Sequence, residues 1–323
     1  MKSSEILSVD LEAFEKGNAT QRRAVVEATM DSLVNGFVYA ATDLSEELLD
    51  TAYGKLESFF SLPAPVKDTY AAPGADGQVG YTGLLVEQAE ALELPDWKEM
   101  LNWPSLPSPT EHPLAKKYPN RYLKGIFPNM HIPGIQKALQ EFSTTVLDVQ
   151  LRVLRIVAEG LGVDKNFFDQ ICSGAPHLSR AIHYPEMELA PGDEHVWAGK
   201  HGDINLITAL PRATAAGLQI WIETDNNGNG YWIDAAPPSG HVILNTGLML
   251  ERISNGVIPA GIHQVISDSP GSRMSVVQFC HPSPDTILAP LESCVTAERP
   301  VAYETKTASD ALKEVLEAIG IAN

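Results

Sequence analysis

Between residues 176 and 282 the chain is cut into short pieces by turns. SRAIHYP, INLITAL, GLQIWIET, GYWIDAAP, HVILN, HQVIS and RMSVVQF are strand-like runs rich in β-branched and aromatic residues, divided by turn residues. DNNGNG at 225–230 reads as a hairpin connection. Many short strands with regular turn signals make a sandwich or a barrel, and a double-sheet jelly roll suits the count.

The flanks read differently. QRRAVVEATMDSLVNG carries apolar residues at Val26, Met30 and Leu33 and stops at Gly36, as a helix does. FVYAATDL then reads as a strand. Ser45 is placed to cap SEELLDTAYGKLESFFSLP, whose stripe of Leu48, Leu49, Ala52, Leu56, Phe59 and Phe60 ends at Pro63. AAPGADGQVG at 71–80 is a Gly-rich loop with no phosphate-binding GK[ST] behind it. DWKEMLNW at 96–103 suits a strand, and LPSPTEHP at 106–113 marks a boundary. Residues 134–161 form a long helix whose apolar arc, Leu139, Phe142, Val146, Val149 and Val153 flanked by Leu147, Leu151 and Leu154, is wide enough for a buried spine. The expected fold is mainly β with α, a double-stranded β-helix (jelly-roll) core in a single domain over 1–323. Its parts are an N-terminal α/β region over 1–115, the spine helix, the core over 176–290 and a C-terminal helix over 306–320 carrying Leu312, Val315, Leu316 and Ile319 on one face.

Composition narrows the partners. A net charge of -18 and the absence of a Lys/Arg cluster disfavour nucleic acid; the acidity itself mainly reads as solubility. No apolar run approaches the roughly 20 residues of a membrane span, and the N-terminus lacks a signal-peptide core. Cys172, Cys280 and Cys294 are odd in number and form no CxxC, so neither a disulfide framework nor a zinc knuckle is indicated and a cytoplasmic location is expected. The sequence is silent on oligomeric state.

Chemistry enters at KHGDINLITALP. His201 and Asp203 open what reads as a strand, and residues i and i+2 of a strand share a face. With nine histidines in the chain, a strand-end histidine bonded to a neighbouring acid explains the triplet equally well. His263 follows 60 residues after Asp203, and Arg273 and Ser275 form another i, i+2 pair. Two histidines and a carboxylate on a β scaffold are the donor set of non-haem Fe(II). An arginine beside a hydroxyl offers a fork for a carboxylate.

HxD, then about 60 residues, then H and RxS, resembles the Fe(II)/2-oxoglutarate dioxygenase superfamily, and more closely its isopenicillin N synthase-like branch. NGFVYAATDL is similar to the branch's GFFYV strand, FFSLPAPVKDTY to its helix and LP…K segment, DWKEMLNW to its D.KE strand, and PPSGHVILNTGLMLERISNGVIPAGIHQV to its PG.L.VN.GD.L…SNG…HRV stretch. Gly247-Leu248 stands where Gly-Asp is usual, and Gln264 where Arg is usual. The resemblance implies an oxidoreductase with His201, Asp203 and His263 as iron ligands, and Arg273, Ser275 and Tyr184 holding 2-oxoglutarate, with O2 as the other co-substrate. It further implies hydroxylation, desaturation or cyclisation of a small biosynthetic metabolite. Halogenases of the superfamily replace the carboxylate ligand, so Asp203 argues against them.

Tyr81, Trp103 and Phe279 are candidates to line the substrate cavity, with core packing as the alternative. His183, next to Tyr184, is expected on the opposite face; His241 is expected to be a surface or core residue; His195 and His281 carry no assignment. Two other functions remain open on the sequence. One is an iron-dependent oxidase of the isopenicillin N synthase or aminocyclopropane carboxylate oxidase type, which shares HxD…H and RxS but does not consume 2-oxoglutarate. The other is a jelly-roll module that binds without catalysis.

Overall fold

The computed structural model describes residues 5–75, 77–84, 97–105, 111–186, 195–225, 228–267 and 271–318. Asp96, residues 106–110, residues 226 and 227 of the expected hairpin connection, and the end of the C-terminal helix beyond 318 lie outside the described residues.

The N-terminal part runs β1 (Ser8–Asp10), α1 (Leu11–Lys16), α2 (Ala19–Leu33), β2 (Phe37–Ala41), α3 (Glu46–Phe60), α4 (Ala64–Asp68), β3 (Gly80–Thr82) and β4 (Glu99–Pro104). Then come α5 (Ile135–Gly160), α6 (Phe167–Cys172), β5 (Leu178–Tyr184), β6 (His195–His201), β7 (Ile207–Leu210), β8 (Leu218–Glu223), β9 (Gly230–Asp234) and β10 (His241–Thr246). The chain continues with α7 (Leu248–Ile253), β11 (His263–Ser267), β12 (Arg273–Cys280), β13 (Ile287–Leu288), β14 (Lys306–Thr307) and α8 (Ala308–Ala318). Ser45 caps α3 through the Leu48 N–H, and Asn18 and Gln21 close a reciprocal capping box on α2.

Two sheets make the core. The larger has eight strands in the order β1-β2-β10-β7-β12-β5-β4-β3, the smaller four in the order β6-β11-β8-β9. The N-terminal strands therefore extend both edges of the larger sheet, which covers backbone that a bare jelly roll would leave unpaired. Helix α5 lies on the outer face of that sheet, and α2 and α3 pack over it in turn. Its arc is buried as the wide apolar stripe requires: Leu139, Phe142, Val146 and Val153 are fully enclosed, at about 1.5–3 kcal/mol for each such side chain. The helix also docks by hydrogen bonds. Gln150 Nε2 donates to the carbonyls of Ile207 (2.9 Å) and Gln278 (2.7 Å). Among the described residues no helix is long and apolar enough to cross a membrane.

One expected strand is not continuous. His201 ends β6 in the smaller sheet, Gly202–Leu206 is a connection, and β7 in the larger sheet begins only at Ile207. The HxD triplet is thus the crossover between the sheets, not the start of one strand. HVWAGKH itself forms β6, a strand that low β-propensity Ala198, Gly199 and Lys200 hide from a propensity reading.

Candidate metal centre

A bulged ladder places the first histidine. β6 and β11 are antiparallel, with His263 opposite His201 and Val265 opposite Ala198. Three residues of β6 advance where β11 advances two, so one extra residue sits between Ala198 and His201. Plain alternation would turn Lys200 inward with Ala198. The bulge gives that place to His201, while Lys200 points outward over the Trp221 ring at 3.7 Å. His201 and His263 then meet with ring centroids 4.3 Å apart.

Backbone carbonyls fix both imidazoles. His201 Nδ1 is 2.7 Å from the Gly199 oxygen and His263 Nδ1 is 3.1 Å from the Gly261 oxygen. A carbonyl only accepts, so each Nδ1–H donates and each Nε2 keeps its lone pair. Asp203 is held from the larger sheet. Thr208 Oγ1 on β7 donates to Asp203 Oδ2 at 2.5 Å, and Asn245 Nδ2 on β10 donates to the same oxygen at 2.7 Å. Both bonds fall on Oδ2, which leaves Oδ1 to face the rings.

The electrostatics suit a cation. Burial, then the neighbouring His263, holds His201 down at about 4. Burial pushes the Asp203 carboxyl up, but His263, His201 and the bonds from Thr208 and Asn245 outweigh it and keep it below the usual range. Neutral imidazole and ionised carboxylate are the ligating forms. The ligand atoms of His201, Asp203 and His263 lie within 4.8 Å of one another. Two imidazole nitrogens and one carboxylate oxygen, with open space beside them, fit iron(II).

That space is a cavity of about 280 Å³ between the sheets. Alternate residues of β12 line it: Arg273, Ser275, Val277 and Phe279. Arg273 and Ser275 are 1% exposed, and Arg273 Nη1 donates to Ser275 Oγ at 2.9 Å. Burial lowers the Arg273 pKa, and no carboxylate pairs with it among the described residues. Tyr184 lines the same cavity, with its ring 5.6 Å from the Arg273 guanidinium carbon and stacked on Trp197 at 4.9 Å. The three residues expected to hold 2-oxoglutarate therefore share one wall.

Of the three aromatic candidates, only Phe279 lines the cavity. Trp103 pairs with Ser179 on the outer face of the sheet, where its indole N–H donates to Ser143 Oγ of α5 at 2.8 Å. Tyr81 is opposite Leu101 on that same outer face, and its hydroxyl donates to Glu99 at 2.5 Å. Both are core residues, because strand parity sends them away from the cavity. His183 also points outward, to Glu99 and the Phe60 ring, opposite to Tyr184 as expected. His241 is bonded to the Ser239 carbonyl, away from the triad. The sequence reading missed Thr208 and Asn245, although Asn245 stands in the ILNTG run used for the resemblance. It also missed Arg121, Arg180 and His281 in the cavity wall, and, although it expected the C-terminal helix, it did not place Leu312, Val315 and Leu316 of α8 at the cavity.

Two family models match the chain. The 2OG-Fe(II) oxygenase superfamily model covers residues 176–282, and the N-terminal model of non-haem dioxygenase in morphine synthesis covers residues 7–125. The chain belongs to the 2OG-Fe(II) oxygenase superfamily. A 2-oxoglutarate-Fe(II) type oxidoreductase of Aspergillus fumigatus is 24% identical over 95% of this chain and 91% of its own length. The 2'-deoxymugineic-acid 2'-dioxygenase of Hordeum vulgare is 23% identical over 95% of this chain and 84% of its own. Among solved structures, a 2OG-Fe(II) oxygenase family protein of Caulobacter crescentus superposes with a TM-score of 0.84 at 28% identity, covering 98% of this chain and 100% of that one. A full-length Neurospora crassa protein solved with α-KG and thymine shares the fold, with a TM-score of 0.81 at 24% identity over 97% of this chain and 96% of that one. This oxygenase is a 2-oxoglutarate-dependent dioxygenase, with iron as cofactor and 2-oxoglutarate and O2 as co-substrates, and its relatives act on small-molecule metabolites. Relatives named as 2-oxoglutarate-dependent enzymes support this reading over the oxidase alternative and over a non-catalytic binding module.

Two predictions arise from the way this oxygenase holds its triad. Thr208→Val and Asn245→Ala each remove one bond to Asp203 Oδ2 while keeping all three candidate ligands. Each is expected to weaken iron binding by roughly 10- to 100-fold, read by anaerobic metal titration. Unchanged affinity in both would show that Asp203 needs no such support. The other concerns Gly261, two residues before His263. A Cβ there would lie 2.6 Å from the Gly36 oxygen and 2.7 Å from a Phe37 ring carbon, so Gly261→Ala must displace the chain entering β11. A misplacement of about 1 Å costs on the order of 100-fold in turnover. Circular dichroism is expected to stay native while succinate release falls; native turnover would mean that the contact relaxes without moving His263.

Proposed function

We propose that His201, Asp203 and His263 hold the iron, and that Arg273, Ser275 and Tyr184 receive the distal carboxylate of 2-oxoglutarate. The substrate is a small metabolite such as an amino acid, a peptide-like intermediate or another biosynthetic precursor. The observation that carries this reading is the convergence of the triad and the buried arginine–serine pair in a single 280 Å³ cavity. Iron bound there would supply oxygen activation coupled to oxidative decarboxylation of 2-oxoglutarate, with oxidation of a substrate C–H bond.

The protein's own groups do the rest. The Gly199 and Gly261 carbonyls keep both imidazoles in the ligating tautomer. Thr208 and Asn245 keep Asp203 ionised and turned to the site. Arg273 and Ser275 offer a rigid, desolvated donor pair in which a carboxylate is oriented as well as neutralised. Leu312, Val315 and Leu316 of α8 add an apolar stretch to the cavity wall. Asp203 supports hydroxylation, desaturation or cyclisation over halogenation. A small substrate is supported by the cavity, just below the usual ligand-pocket range of about 300–1,000 Å³, and by relatives named for mugineic acid and leucoanthocyanidin. Three buried free thiols suit a reducing cytoplasm.

The test is a metabolite panel given to anaerobically iron-loaded protein with 2-oxoglutarate and then oxygen. Succinate release coupled to a product carrying one more oxygen, or two fewer hydrogens, is the expected result. Coupled turnover of a protein or nucleic acid, with none of any metabolite, would overturn the substrate class. A chlorinated product in chloride buffer would overturn the reaction type alone.

A further inference from the structure

The cavity has the opposite charge to the chain. The protein carries 41 acidic and 23 basic side chains, yet among the described residues the cavity wall holds Lys98, Arg121, Arg180 and Arg273 against a single acid, Asp203. The reaction components do not use up this excess. Iron(II), Asp203, the 2-oxoglutarate dianion and Arg273 together sum to zero. Lys98, Arg121 and Arg180 remain, and the two arginines are the ones whose hydrogen bonds place them in the wall.

Both arginines are held by neutral groups. Arg180 Nε donates to Asn102 Oδ1 at 2.7 Å and its Nη2 to the Gly77 carbonyl at 3.4 Å. Arg121 Nη1 donates to Gln78 Oε1 at 2.8 Å. Neither has a carboxylate partner among the described residues. A guanidinium has five N–H donors, so each is fixed in position with donors to spare. Half-buried cations held this way cost desolvation that no carboxylate among the described residues offsets. Burial lowers Arg121 to about 10, and its charge, after burial, helps keep the enclosed His281 neutral.

The position of Arg180 separates it from the 2-oxoglutarate anchor, and Arg121 is tied beside it, since the two bond the adjacent residues Gly77 and Gln78. Arg180 on β5 is opposite Val277 on β12, four residues from Arg273 and so about 13 Å along the sheet. Its guanidinium carbon lies 5.6 Å from the Phe279 ring. Phe279 in turn pairs with Thr208, the residue that bonds Asp203. Arg180 therefore stands at the triad's end of the cavity, where a substrate meets the iron, and Arg273 at the other.

We propose that Arg180 and Arg121 form a carboxylate-recognition subsite, so that the substrate of this oxygenase is a small carboxylic acid whose body packs on Phe279. The proposal rests on the assignment of Arg273 to 2-oxoglutarate. A planar fork matches a carboxylate in two bonds, and an aromatic face beside it suits the apolar remainder.

The test is binding without turnover. Iron-loaded protein, saturated with 2-oxoglutarate and kept free of oxygen, is titrated by calorimetry with phenylacetate, 3-phenylpropionate and isovalerate and with the primary amide of each. Acids are expected to bind roughly 10- to 100-fold more tightly than their amides. Arg180→Gln and Arg121→Gln should each shrink that ratio, and Arg180→Lys should leave an intermediate one. Equal binding of acids and amides, no binding of any acid, or a full preference in both glutamine variants would overturn the proposal. Failure of the underlying reading shows separately: Arg273→Ala protein would then need no more 2-oxoglutarate for succinate release than the wild type, whatever the acid-to-amide ratio.

Discussion

Asp203→Ala protein loaded anaerobically is expected to come off a desalting column almost free of iron and to release no succinate above background. The change removes the one anionic donor of the triad and leaves two neutral imidazoles. It also strips Thr208 and Asn245 of their shared acceptor, so two buried donors lose a charged partner. The loss should exceed the roughly 10- to 100-fold expected when a supporting residue is removed. His201→Ala should behave similarly, because its Nε2 is presented to the same point by the β6 bulge. Wild-type metal content in both variants would sink the ligand assignment. Circular dichroism belongs in the same experiment, since Asp203 lies in the crossover between the two sheets.

Arg273→Ala is expected to retain iron but to need far more 2-oxoglutarate. Truncating one side of a desolvated, hydrogen-bonded charge pair costs about 2–5 kcal/mol, or roughly 30- to 5,000-fold in apparent affinity. The burial of Arg273, at 1% exposure, places it in the upper part of that range. Arg273→Lys keeps the charge but not the fork, and should fall between. Normal 2-oxoglutarate dependence in both variants would assign the arginine to another carboxylate. The readout is the concentration dependence of succinate release at fixed iron, so a metal defect and a co-substrate defect separate cleanly.

The triad was legible as a set of residues but not as a geometry. His201 and Asp203 share a strand face when KHGDINLITALP is taken as one strand. In the structure His201 ends β6 and Asp203 lies in the crossover to the other sheet, and a bulge supplies the inward turn of His201. A bulge is an agreement between two strands about register, and β11 lies some sixty residues away in the chain. Trp103 and Tyr81 show the same limit: their residue type suits a cavity, but strand parity, set by pairing with β5 and β4, decides the face.

What the sequence determined by itself was what local chemistry specifies. The turn spacing of 176–282 determined a β core, the apolar arc of 134–161 determined a buried spine, and His201, Asp203, His263, Arg273 and Ser275 were marked by residue type and order. Only the tertiary structure decided which residues look into the cavity. It gathered Thr208 and Asn245 behind Asp203, brought α8 into the cavity wall and, among the described residues, collected four cations around one acid inside a chain of net charge -18. Composition averages over the whole surface. A cavity between two sheets selects a few side chains from distant strands, so its charge need not follow the mean, and long-range pairing alone decides which side chains those are.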